Sequence, residues 1–192
     1  MAGGEPQGSR KQLIALIVAL AILGAGGAGL YIYTHDGNGG GNDPGDGSNN
    51  NSTTLKKAPD FTLKDTDGYN FTLSANKGSV VVLDFSATSC APCKEQASEL
   101  VKVEGAYASK GVKILSIDVN SIDTVPVLAQ FKADRGAAWP FAIDTKGVSL
   151  LPEYSATSIP MIVIVDKTGH IAHRGVGLEY ASELSARIDP LV

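Results

Sequence analysis

The sequence predicts an α/β domain, a central mixed β-sheet flanked by helices, behind an N-terminal transmembrane helix. Three observations carry that prediction. Continuous apolar runs at Val80–Phe85, Val112–Val119 and Met161–Val165 read as strands buried on both faces. Stretches with helical spacing of apolar residues fill the intervals between them. The run Leu13–Tyr33 holds 21 residues without a charge, and about 20 apolar residues span a bilayer core.

Composition narrows the class. Of 192 residues, 43% are hydrophobic and 19% charged, with a formal charge of −4. That excludes a disordered chain, a disulfide-framework protein and a basic nucleic-acid footprint. Two cysteines are enough for one redox or metal site and no more.

The N-terminal segment sets the expected compartment. Arg10 and Lys11 precede the apolar run, and no Lys or Arg follows it until Lys56. The positive-inside bias then puts residues 1–12 in the cytoplasm as a tail, 13–33 across the membrane, and the rest outside. Tyr31 and Tyr33 stand where an interfacial aromatic belt falls. The competing reading is a cleaved signal peptide ending near Gly26-Gly27-Ala28, but the apolar run continues past that point. Residues 34–55 are rich in Gly, Asn, Asp and Ser, a flexible tether with a reach of about 25 Å. Asn50, Asn51 and Asn70 head N-x-S/T sequons, relevant only in a host that glycosylates exported proteins. Residues 56–192 form the folded domain.

Within that domain the elements follow in order. Phe61–Leu63 and Phe71–Leu73 read as two short strands around the Asp65-Thr66-Asp67-Gly68 turn. Val80–Phe85 is a central strand carrying one acid, Asp84. Pro92 to about Lys110 is a helix, with proline in its first turn and Gly111 after its end. Val112–Val119 is the second central strand. Asp123 or Thr124 can cap a helix running to about Asp134. Phe141–Ile143 is a strand and Gly147–Tyr154 a short helix. Met161–Val165 leads through the turn Asp166-Lys167-Thr168-Gly169 into a strand at Ile171–Gly175. A helix over about Glu179–Ile188 closes the domain.

The chemistry is expected at Cys90-Ala91-Pro92-Cys93. This CxxC falls where a buried strand meets a helix. A helix N-terminus offers unpaired N–H groups and partial positive charge, which favour thiolate over thiol. Cys90 would be the accessible attacking thiol, and Cys93, one turn on, would resolve the mixed disulfide. Pro92 stiffens the active-site loop that Ala91 shares. A metal site lacks ligands, since zinc takes four. His170 and His173, three apart on a strand, face opposite sides and read as solvated side chains. No metal and no cofactor are expected.

The stretch VVVLDFSATSCAPCK resembles the strand–CxxPC–helix segment of the thioredoxin superfamily, and Ser158-Ile159-Pro160-Met161-Ile162-Val163-Ile164-Val165-Asp166 is similar to its cis-proline strand. The added αβ unit around Trp139–Asp144, the preceding hairpin and the membrane segment are most similar to the membrane-tethered TlpA/ResA type. The resemblance covers about residues 57–190. It implies a thioredoxin-like fold, Cys90 as nucleophile, Cys93 as resolving thiol, Pro160 as the facing cis-proline, and the Ile159 backbone as a substrate-binding edge. Asp84 matches the buried acid beneath the resolving cysteine, a position where desolvation raises a carboxyl pKa and suits proton exchange. The bland alternative for Asp84 is an acid satisfied by backbone donors at a strand end.

The chain departs from that pattern in three places. Ser89 stands where most relatives carry tryptophan, Ser86 where an aromatic is common, and Ile114 aligns with the lysine that often neighbours the buried acid. A peroxiredoxin places Pro and Thr ahead of its cysteine; Leu83 and Ala87 stand there instead. The reading is an extracytoplasmic thiol–disulfide oxidoreductase, anchored in the cell membrane. It would exchange or reduce disulfides in exported proteins and be recycled by a membrane redox partner. A net oxidase or isomerase on the same fold, or a non-catalytic adaptor or metal-handling module, is the alternative.

Overall fold

The computed structural model describes residues 55–144 and 150–192. The expected tail, membrane segment and nearly all of the tether lie outside the described residues, as does the start of the predicted Gly147–Tyr154 helix. Among the described residues, no helix is long and apolar enough to cross a membrane.

Seven strands and four α-helices are described. β1 (Thr62–Lys64) and β2 (Asn70–Thr72) make a small antiparallel hairpin. β3 (Val81–Ser86), β4 (Lys113–Asp118), β5 (Phe141–Ile143), β6 (Met161–Val165) and β7 (Ile171–Val176) form one sheet in the order β5-β4-β3-β6-β7. β3, β4 and β5 are parallel, while β6 and β7 pair antiparallel to their neighbours. The helices are α1 (Ala91–Tyr107), α2 (Val125–Asp134), α3 (Leu150–Glu153) and α4 (Ala181–Ile188).

β3 is buried at every position, and its alternation divides the core. Val82, with Val80 before the strand, packs under α1, α2 and α4 against Leu100, Leu128 and Leu184. Val81, Leu83 and Phe85 pack on the other face against the hairpin and α3, where Leu63, Leu150 and Tyr154 meet them. Helices thus cover both faces, three on one and a single short one on the other. Leu100 is fully buried, worth about 2–3 kcal/mol of transfer free energy.

Several boundaries differ from expectation for local reasons. α1 stops at Tyr107 because the last turn, Ala108–Lys110, tightens into a 3-10 helix before Gly111 at φ 81°. Proline at the first turn of α2 fits, but Thr124 caps it without a side-chain hydrogen bond. α4 starts at Ala181, two residues later than its pattern suggests, because Glu179 is drawn into contacts with α1 and β7.

Candidate active site

Register brings the site together at one edge of the sheet. The parallel strands β3, β4 and β5 end there. β6 runs the opposite way and begins there, with Met161 opposite Phe85. Pro160, which follows a cis peptide bond from Ile159, therefore stands at the same edge as the loop leading to Cys90. Gly177 closes the edge, its N–H donating to the Pro160 carbonyl at 2.8 Å.

Cys90 is the N-cap of α1 and is disulfide-bonded to Cys93. Its Sγ also accepts the Cys93 N–H at 3.2 Å, so one of the unpaired donors of the helix start points at the attacking sulfur. The two cysteines differ in access. Cys90 is partly exposed, Cys93 is 1% exposed, and Ala91 and Pro92 are exposed between them. An accessible first sulfur and a covered second one suit attack followed by internal resolution.

Asp84 shares the α1 face of β3 with Val82; Phe85 lies on the opposite face and does not surround it. The carboxyl is 1% exposed. Ser116 donates to Asp84 Oδ2 at 2.8 Å and accepts from Trp139 Nε1 at 3.0 Å, while Oδ1 has no partner. Desolvation dominates and raises its pKa to about 7, with the Ser116 and Ser86 hydroxyls opposing. These donors are side-chain hydroxyls, not a backbone cap. Ladder pairing also identifies the cross-strand neighbour: Ser116 is opposite Asp84, whereas Ile114 is opposite Val82.

Two further features near the site escaped the sequence reading, and one histidine departs from it. Asp118 ends β4 at 1% exposure, and desolvation raises its pKa to about 7. The signal was present, since VKILSIDV closes on an acid as VVVLDF does. Gln96, one turn beyond Cys93 and fully buried, donates from Nε2 to the Glu179 carbonyl at 3.0 Å and accepts the Glu179 N–H at 2.8 Å. His173 is not solvated: its Nε2 meets Glu179 Oε1 at 2.8 Å, and both side chains are only 16% exposed. Its strand position opposite Ile164 turns it to the helix face, where Glu179 covers it. His170 stays on the turn, bonded to Thr168. Among the described residues no cluster of His, Cys, Asp and Glu could hold a metal ion.

Comparison with known proteins agrees with this geometry. The family model of AhpC/TSA proteins matches residues 54–174. The chain belongs to the AhpC/TSA family. Among curated members, it is 30% identical over 129 residues to the thiol-disulfide oxidoreductase ResA of Bacillus thuringiensis, covering 67% of this chain and 73% of ResA. It is 30% identical over 135 residues to the thioredoxin-like protein YneN of Bacillus subtilis, covering 70% and 78%. Among solved structures it resembles a Chlorobium tepidum protein assigned as thiol:disulfide interchange protein DsbE, with TM-score 0.64 and 28% identity over 71% of this chain and 96% of that one. StoA from Bacillus subtilis gives TM-score 0.58 and 26% identity over 67% and 96%. The fold is thioredoxin-like, and the chain is a thiol–disulfide oxidoreductase of the ResA/DsbE type, which acts on protein thiols and disulfides.

Proposed function

We propose that this chain is anchored in the cell membrane by residues 13–33 and that its domain faces outward. There it reduces or exchanges disulfides in exported proteins and is returned to the dithiol by a membrane redox partner. The observation that carries the chemistry is the asymmetric pair at the start of α1, Cys90 partly exposed and Cys93 covered. What supports the location is the charge-free run behind Arg10 and Lys11.

The cycle balances as follows. The Cys90 thiolate attacks one sulfur of a substrate disulfide, forming a mixed disulfide and expelling the other substrate sulfur as thiolate. The substrate strand lies along the Ile159–Pro160 edge, adding backbone hydrogen bonds to the sheet. Cys93 then loses its proton to the Asp84 carboxylate and attacks Cys90 Sγ. The second substrate thiolate leaves, and the Cys90–Cys93 disulfide remains. Two electrons have passed to the substrate. An external dithiol restores the start.

Cys90→Ser should abolish insulin-disulfide reduction. Cys93→Ser should accumulate mixed disulfides, because release needs the second thiol. Full turnover by the Cys90 variant would overturn Cys90 as the nucleophile, and no turnover by the parent protein would favour an adaptor.

A further inference from the structure

The loop 177–180 joins β7 to α4 and belongs to no helix or strand. Its backbone groups must therefore find partners elsewhere. At its start, the Gly177 N–H donates to the Pro160 carbonyl at 2.8 Å. Two residues on, the buried Gln96 side chain accepts the Glu179 N–H at 2.8 Å and donates to the Glu179 carbonyl at 3.0 Å. One turn further along α1, Glu99 Oε2 accepts the Ala181 N–H at 2.9 Å. The loop is thus fastened at one end to the proline just ahead of β6 and at the other to the helix that carries both cysteines.

The Glu179 side chain adds a third hold, on β7. Its Oε1 meets His173 Nε2 at 2.8 Å, and both side chains are largely covered. A carboxylate only accepts, so the imidazole donates, as its Nε2–H tautomer or as imidazolium. His173 and Gly175 share one face of β7. The carboxylate reaches His173 by lying over Gly175, where a Cβ would collide with it. Nearby cations offer Glu179 no substitute partner. Arg174 is exposed on the opposite face of β7, and Lys102 is paired with Glu99 at 2.6 Å. Glu179 Oε2 is buried without a hydrogen-bond partner, a cost that a shorter side chain would avoid. Stability alone does not account for a carboxylate in this place, whereas holding the loop does.

We propose that Glu179 and His173 are positioning residues that hold the loop 177–180 against β7 and α1 and, through Gly177, fix the Pro160 edge for substrate. The proposal rests on the reading that substrate lies along the Ile159–Pro160 edge, and it adds what keeps that edge ready. With Glu179 tied to His173, the backbone at Pro160 is set before a peptide pairs with the edge. Without the tie, the arriving peptide must order the loop as it binds. That cost falls on binding, so it raises KM and leaves the chemical step alone.

The test uses the full chain in mild detergent, with insulin as the disulfide substrate and iodoacetamide as a thiol reagent that needs no edge. Glu179→Ala should raise KM for insulin about threefold to tenfold, the effect of one hydrogen bond, with kcat and Cys90 alkylation unchanged. His173→Ala should do the same, and the double variant should do no more than either alone. His173→Gln, which keeps an N–H donor on a side chain of similar reach, should bring KM back to the parent value. A second readout needs no substrate: the Gly177 amide hydrogen should exchange about threefold to tenfold faster in Glu179→Ala than in the parent. Parent KM in both alanine variants, a loss shared equally by kcat and alkylation, or unchanged Gly177 exchange would overturn the proposal. An inactive parent protein would instead overturn the enzymatic reading alone, since Gly177 exchange still tests the hold on the loop.

Discussion

Replacing Asp84 by asparagine keeps the side-chain shape and removes one titration. In the folded protein the Asp84 pKa is raised from 3.8 to about 7 by desolvation. Because the folded-state value lies above the unfolded one, the native state holds a proton that the unfolded state has released. Stability is therefore greatest below the unfolded value and declines as pH rises toward the folded one. Each unit is worth about 1.4 kcal/mol, so Asp84 alone should cost the native state about 3 kcal/mol between about pH 5 and pH 8. Asparagine removes that slope. Its absolute effect is smaller, because the new NH2 replaces an oxygen without a partner, and an unsatisfied buried donor costs about 1–3 kcal/mol. The pH difference is thus the quantity to measure, by urea unfolding of both proteins across this range. The same variant should slow release of the mixed disulfide while sparing attack by Cys90, since Cys93 loses its base. Equal pH slopes in both proteins, with equal release rates, would mean that Asp84 is charged throughout and that the burial argument is wrong.

Other expectations are read in different assays. An alkaline phosphatase reporter fused after Val192 should be active outside the cytoplasm if Arg10 and Lys11 orient the apolar run; an inactive one, with a tag protected from added protease, refutes the topology. Gln96→Ala removes two hydrogen bonds between α1 and the Glu179 backbone, so it should destabilise by about 1–3 kcal/mol, seen as a lower urea midpoint. Gly175→Ala would set a methyl against the Glu179 carboxylate, which must swing away from His173, and should cost about 1 kcal/mol, the worth of that hydrogen bond. Combined with Glu179→Ala its cost should shrink, and strict additivity in that cycle would show the contact is not what limits the site.

The strands were legible because nothing but burial on both faces tolerates runs such as VVVLDF and MIVIV. The thiol pair was legible because CxxC at a strand–helix junction has few other uses. What one strand's sequence does not contain is its register. Alternation left open which face Asp84 takes, and pairing with β4 decides that its neighbour is Ser116 rather than Ile114. His173 shows the same limit. Its residue type and spacing suggested solvent, but the chain returns six residues later and lays Glu179 across it. Contacts of that kind depend on where a loop goes after a strand ends, and the strand's own pattern says nothing about it.

The placement of polar groups in the core argues that proton handling, rather than stability, shaped this edge. Among the described residues the buried polar or charged side chains are Asp65, Asp84, Ser86, Gln96, Ser116 and Asp118. All but Asp65 lie on β3, on β4 or in the early turns of α1. Each costs free energy unless its hydrogen bonds are met, and Asp84 and Asp118 each keep an oxygen that no donor reaches. An apolar residue at either acid would give a more stable domain. Two acids of pKa about 7 are nonetheless held on one sheet face, on adjacent strands whose ends carry the loops around the cysteines. Asp84 shares the face of β3 that α1 covers, and Asp118 ends β4 opposite Ser86 at the edge where the loop to Cys90 begins. In the proposed cycle a covered thiol must lose its proton after the first attack, and Asp84 is the buried carboxyl on the face that α1 covers.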